Sequence, residues 1–198
     1  MTSEEIFDFI EELRKEGEEL GLPVMRRATA AFLAKLVSAK RPERALDIGT
    51  CSGVSCLTTL AAGVKCVTTI ERDGERVEYA RKNFKKCGVT PYVIQIEGDC
   101  LNEMAYLSGN VYDLVILDGP KSSIKAQYDM SLDITRKGGI IFVDDINYHG
   151  MIAGTEAKHK QRTIIKGIRE FMEYVKNDER VDAKFYDIED GFAVLERK

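Results

Sequence analysis

Short β-branched and apolar runs recur along this chain, each closing on a glycine or an acid and each followed by residues at helical spacing. The runs are Ala45-Leu46-Asp47-Ile48, Lys65–Ile70, Tyr92–Ile96, Tyr112–Leu117 and Ile140–Val143. The fourth, YDLVIL, is almost wholly apolar, as in a strand buried on both faces. Between the runs, Val54–Ala62, Glu75–Cys87 (closed by Gly88), a segment near Ser123–Thr135 ending before Gly138-Gly139, and Arg162–Lys176 read as helices. Two more helices lead. Thr2–Leu20 carries Ile6, Phe9, Ile10 and Leu13 on one side, with a cap from Thr2 or Ser3 and Glu5 or Glu4; Arg27–Ala39 carries Phe32, Leu33, Leu36 and Val37. At the far end Ala183–Asp187 and Phe192–Glu196 flank Glu189-Asp190-Gly191, a turn suited to a hairpin.

Strands alternating with helices predict an α/β fold with a doubly wound, mostly parallel sheet. We expect a Rossmann-like arrangement of seven strands, an antiparallel C-terminal strand and extra N-terminal helices. The 198 residues fit one domain, residues 1–40 giving the leading helices and 41–198 the core. No apolar run reaches the roughly 20 residues that span a bilayer. The acidic, amphipathic start lacks a signal peptide's basic and apolar regions, so a cytoplasmic chain with no membrane partner is expected. Five cysteines without a C-x-x-C pair read as reduced, mostly buried thiols. A formal net charge of −4 argues against polyanion binding over the whole surface, though a local basic patch remains compatible with it.

In such sheets ligands bind beyond the carboxyl ends of the strands. The first end reads Asp47-Ile48-Gly49-Thr50-Cys51-Ser52-Gly53-Val54-Ser55, with glycines where a backbone must approach a ligand. Cys51 stands where the dinucleotide fingerprint has its second glycine, which counts against NAD or FAD. After the second run, Glu71 can accept hydrogen bonds from both ribose hydroxyls, with Arg72 beside it. Gly98-Asp99-Cys100 follows the third; Asp99 can accept from an adenine amino group, cap the next helix, or do both. Asp118 and Asp144-Asp145 close the fourth and fifth. Three converging carboxylates call for a cation such as magnesium or calcium, but Asp144 and Asp145 can share it only if the strand has already ended there. Lys121, three residues past Asp118, could serve as a general base if a nearby cation favours its neutral form.

Taken together, PVMRR, DIGTCSGVS, TIERD, EGDC, YDLVILDGPK, GGIIFVDDINYHG and DGFAVLER resemble the cation-dependent O-methyltransferase family, which includes catechol and caffeoyl-CoA O-methyltransferases. PVMRR, QRTIIKGIREFMEYV and the ending are most similar to bacterial enzymes that methylate 5-hydroxyuridine in tRNA. The resemblance implies S-adenosylmethionine as cofactor, with Met25 bordering it, Gly49 and Ser55 at its methionine end, Glu71 at the ribose, Gly98, Asp99 and Cys100 flanking the adenine, and Asp47, Arg72 and Asp118 among its further contacts. It implies a divalent cation such as Mg2+ on Asp118, Asp144 and Asp145, and Lys121 as the base near the acceptor hydroxyl. Three departures stand out: Asp145 where the family commonly has asparagine, Gly119-Pro120 before the lysine, and Ile124 where relatives often have tyrosine.

The implied chemistry is in-line transfer of the sulfonium methyl to an oxygen, Asp118 and Lys121 acting at the transfer end. A catechol-like diol or a tRNA nucleoside could accept it, the latter with Arg26, Arg27, Lys125, Lys158, Lys160 and Arg162 as phosphate contacts. Loop 147–160, with Arg26 and Arg27, could cover the acceptor; His149 and His159 receive no role. Members of the family are often dimers, so a homodimer is a further expectation. The rivals are a nucleotide-dependent oxidoreductase and a non-catalytic cofactor- or RNA-binding protein, the latter opposed by an acid cluster that a binding module does not need.

Overall fold

The computed structural model describes residues 1–107, 109, 111–147 and 159–198, the last stretch without the side chains of 159–161. Two helices lead, α1 (Ser3–Glu19) and α2 (Arg27–Lys40). There follow β1 (Arg44–Ile48), α3 (Val54–Ala61), β2 (Cys66–Glu71), α4 (Gly74–Cys87), β3 (Val93–Glu97), α5 (Cys100–Tyr106), β4 (Tyr112–Leu117), α6 (Ile124–Ile134), β5 (Thr135–Asp144), α7 (His159–Lys176), β6 (Val181–Tyr186) and β7 (Phe192–Arg197).

The strands form one seven-stranded sheet in the order β3-β2-β1-β4-β5-β7-β6. The first five are parallel, and β7 runs antiparallel between β5 and β6, as the closing hairpin predicts. One apolar core, including Leu33, Leu57, Phe84 and Phe142, joins α1–α4 to one face of the sheet; a second, including Leu117, Tyr128, Ile168 and Phe171, joins α5–α7 to the other. In the parallel part the strand order reverses between β1 and β4, and a crevice opens at that switch point.

Local chemistry explains the boundaries. Thr2 and Glu5 form a reciprocal capping box on α1. Asp73 caps α4 by accepting from the Glu75 and Arg76 amides, and Gly88 ends that helix at φ 74°. Two boundaries differ from the sequence expectation by three residues or more. Strand β5 begins at Thr135 and runs through Gly138-Gly139, with a register shift against β4 between Tyr112 and Leu114. The glycines serve that irregularity and do not mark a helix end: a Cβ on Gly139 would lie 2.8 Å from the Arg136 carbonyl. Helix α7 begins at His159, three residues earlier than its apolar spacing suggests. Most of loop 147–160, with His149 and Lys158, lies outside the described residues, and so do the side chains of His159 and Lys160.

Candidate active site

The crevice beyond β1, β2, β3 and β4 is a cleft of about 340 Å³ whose lining includes Gly49, Glu71, Arg72, Gly98, Asp99, Cys100, Asp118, Lys121 and Asp145. Sequence reasoning named each of these. At the switch point the chain leaves β1 in a conformation that needs glycine: Gly49 sits at φ +99°, and an added Cβ would lie 2.5 Å from the Asp118 carbonyl. The next turn is tight as well, with Cys51 at φ 47° and Gly53 at φ 90°.

Glu71 ends β2 almost buried, and three main-chain amides fix its carboxylate. Oε2 accepts from Cys51 N at 3.1 Å, and Oε1 accepts from Arg72 N at 2.9 Å and Asp73 N at 3.1 Å. A carboxylate held this rigidly at a strand end can receive the two hydroxyls of a ribose. Asp99 caps α5 by accepting from Leu101 N and Asn102 N, and it also lines the cleft.

Asp47 and Ser55 do not line the cleft. They lie beneath the glycine turn, where Asp47 Oδ2 accepts from Ser55 Oγ (2.9 Å), Cys56 Sγ (3.1 Å) and Thr69 Oγ1 (3.1 Å). Met25 also stands outside this cleft, on the adjoining cavity of about 350 Å³ that shares Asp118 and Asp145 with it. The buried Arg14 guanidinium donates to the Met25 carbonyl and so fixes the α1–α2 connection that forms the cavity wall.

Asp118 and Asp145 form that shared wall, and Asp144 lines the adjoining cavity beside them. The strand condition is met: β5 ends at Asp144, and Asp145 turns to φ 53°, which frees its side chain from the alternation of an extended strand. Lys121, three residues past Asp118 in a short 3-10 turn, reaches back to donate to Asp118 Oδ1 (3.3 Å) and to the Asp144 carbonyl (2.9 Å). Burial raises the pKa of the Asp118 and Asp144 carboxyls, which repel one another. Burial works to lower the Lys121 pKa, but the carboxylates of Asp118, Asp145 and Asp144 outweigh it and the net direction is up. The protein's own groups therefore favour the charged form of this lysine.

Three charged lining residues escaped sequence reasoning. Arg76, in the first turn of α4, lines the first cleft; Glu18 and Asp190 line the adjoining cavity with Arg26. Arg26 Nε pairs with Asp190 at 2.8 Å, and its NH1 lies 3.9 Å from Glu18. No local motif announces such residues, because helix, loop and hairpin meet there only in the folded chain.

The family model described as O-methyltransferase matches residues 1–198. The chain belongs to the O-methyltransferase family. It is 29% identical over 187 residues to the caffeoyl-CoA O-methyltransferase of Populus kitakamiensis, covering 90% of this chain and 78% of that protein. It is 33% identical over 118 residues to the catechol O-methyltransferase of Mycobacterium tuberculosis, covering 58% of this chain and 53% of the relative. Among solved structures, an O-methyltransferase from Bacillus cereus in complex with SAH superposes with a TM-score of 0.84 at 23% identity, over 96% of this chain and 90% of that one. As an O-methyltransferase, the chain has the expected fold at the expected position of its crevice.

Proposed function

We propose that this O-methyltransferase moves the methyl group of S-adenosylmethionine to one hydroxyl of a small vicinal diol, assisted by a divalent cation. The observation that carries this reading is the wall of Asp118 and Asp145 common to the two cavities, which brings a donor in one against an acceptor in the other. Rigid Glu71 and the glycine turn suit a nucleoside that carries no phosphate, and the Bacillus cereus relative was solved with SAH. The relatives' names supply the diol, since catechol and caffeoyl groups share a dihydroxyphenyl ring.

The donor set fits a hard cation in kind, three carboxylates on one wall, with Asp145 in place of the family's usual asparagine adding a charge. Among the described residues no three acidic, histidine or cysteine side chains stand close enough to form a closed ligand cluster, and Lys121 occupies the space between Asp118 and the end of β5. Asp118, Asp144 and Asp145 are the residues that would hold the ion. When bound, S-adenosylmethionine supplies the electrophilic methyl, and a divalent cation lowers the pKa of an acceptor hydroxyl and orients it.

The chain's own residues do the rest. Glu71 and the 98–100 segment fix the nucleoside, and the 49–53 turn fixes the backbone beside it. Lys121 stands at the transfer end, where it can take the acceptor's proton or hold the charge that develops on the oxygen. Holding two reactants in line can contribute roughly 7–11 kcal/mol in favourable cases.

Charge separates the acceptor classes. Glu18, Asp118, Asp144, Asp145 and Asp190 line the acceptor cavity against Arg26, which Asp190 and Glu18 already engage. That balance favours a neutral or cationic diol over a phosphate-bearing acceptor. Incubation with methyl-labelled S-adenosylmethionine and magnesium, with either catechol or tRNA bearing 5-hydroxyuridine, tests the assignment. Label in catechol supports it, label in tRNA alone replaces the acceptor, and no label in either overturns both.

A further inference from the structure

With Glu71 on the ribose and the end of β3 at the adenine, the amino-acid end of S-adenosylmethionine falls toward β1 and the 49–53 turn. That end carries a carboxylate into a cleft already lined by Glu71, Asp118 and Asp145. Ser55, the residue expected to hold it, gives its hydroxyl to Asp47 below the turn and does not reach the cleft.

Arg72, Arg76 and Lys121 are the cations among the cleft-lining residues. Lys121 is engaged with Asp118 and the Asp144 carbonyl at the transfer end. Arg72 acts electrostatically on the Cys100 thiol, at the adenine end. Arg76 belongs to the other end. Its helix, α4, packs on the glycine turn: Asn83 Nδ2 donates to the Ser52 carbonyl at 3.0 Å, and the Phe84 ring fills the space where Gly53 would carry a Cβ. Arg76 precedes Asn83 by seven residues and so shares its face of α4, and its guanidinium works against the burial that pushes the Cys51 thiol up to about 11. Its own acidic neighbour holds it loosely, with Nε 3.9 Å from Asp73 Oδ2.

We infer that Arg76 is a cofactor-binding residue that pairs with the carboxylate of the methionyl end and so selects ligands that carry one. This rests on the proposed use of S-adenosylmethionine. A guanidinium suits the task because its fork of N–H donors matches a carboxylate.

Calorimetric titration with two ligands tests the assignment. One is S-adenosylhomocysteine. The other is its decarboxylated analogue, S-adenosyl-3-thiopropylamine, which keeps adenine, ribose, thioether and amine. For Arg76→Gln the expected result is a loss of about tenfold or more in affinity for S-adenosylhomocysteine, with the analogue's affinity unchanged. Arg76→Lys, which keeps the charge and loses the fork, should fall between and serves if the first variant does not fold. Equal losses for the two ligands, or no loss for either, would overturn the role of Arg76. Wild-type protein that binds neither ligand would overturn the cofactor reading and the assignment with it.

Discussion

The Asp47 carboxylate has no exposed surface, and while Oδ2 collects three donors, Oδ1 has no hydrogen-bond partner. Burial raises its pKa to about 7, against the lowering effect of the Cys56, Ser55 and Thr69 hydrogen bonds. A carboxyl raised in the folded state favours folding at low pH, and that contribution fades as pH rises toward 7. Asp47→Asn removes the titration. Thermal unfolding of the cofactor-free protein should show the variant gaining on the wild type between pH 5 and pH 8, by an amount on the order of 2 kcal/mol. A constant difference across that range would contradict the burial argument. Lys121 carries the other consequence at single side chains. Lys121→Met should lower kcat by roughly 10²–10⁴-fold, while calorimetry should find S-adenosylhomocysteine affinity within about threefold of wild type, because the proposed cofactor contacts at Glu71 and the 98–100 segment are left in place.

Helix α2 begins at Arg27 with no side-chain cap from Arg26, and its cap comes from the other end of the chain. Glu189, in the β6–β7 turn at φ 52°, accepts from Thr29 N at 2.9 Å and Thr29 Oγ1 at 3.2 Å. The same turn ties down the chain after β5, since Ile146 N donates to the Gly191 carbonyl and Asn147 N to the Asp190 carbonyl. One hairpin turn thus joins the segment after Asp145 to the wall of the acceptor cavity. Glu189→Ala should cost about 1 kcal/mol, as losing a helix cap does, and lower Tm by about 2–4 °C. At the switch point Gly49→Ala faces both a positive φ and the Asp118 carbonyl. Its expected cost is about 1–3 kcal/mol with a loss of cofactor affinity, read by thermal unfolding and calorimetry. The turn itself was legible as Glu189-Asp190-Gly191, because turn chemistry is local. Its capping of a helix 160 residues away was not, since that partnership exists only after β7 has inserted beside β5.

Across the molecule, periodicity and strand-end chemistry were legible for the same reason. A parallel sheet buries continuous apolar runs and leaves polar groups at the carboxyl ends, so Glu71 and Asp144 close their strands while Asp118 and Asp99 come just after theirs. What the sequence hides is direction. Nothing local reveals that Asp145 leaves the strand at φ 53°, that Ser55 turns inward to Asp47, or that Arg76 lines the cleft from the neighbouring helix. These depend on how α4 and the hairpin dock. Among the described residues no helix is long and apolar enough to cross a membrane. In the proposed reaction a carboxylate-held cation takes part in methyl transfer at the wall between the two cavities. Label transfer from S-adenosylmethionine to catechol, run with magnesium, with a chelator and with the Asp144→Asn, Asp145→Asn double variant, tests it most directly. Transfer should stop with chelator, return with excess magnesium and fall at least about 100-fold in the double variant, while S-adenosylhomocysteine still binds. Undiminished transfer in the presence of chelator and in the double variant would contradict it.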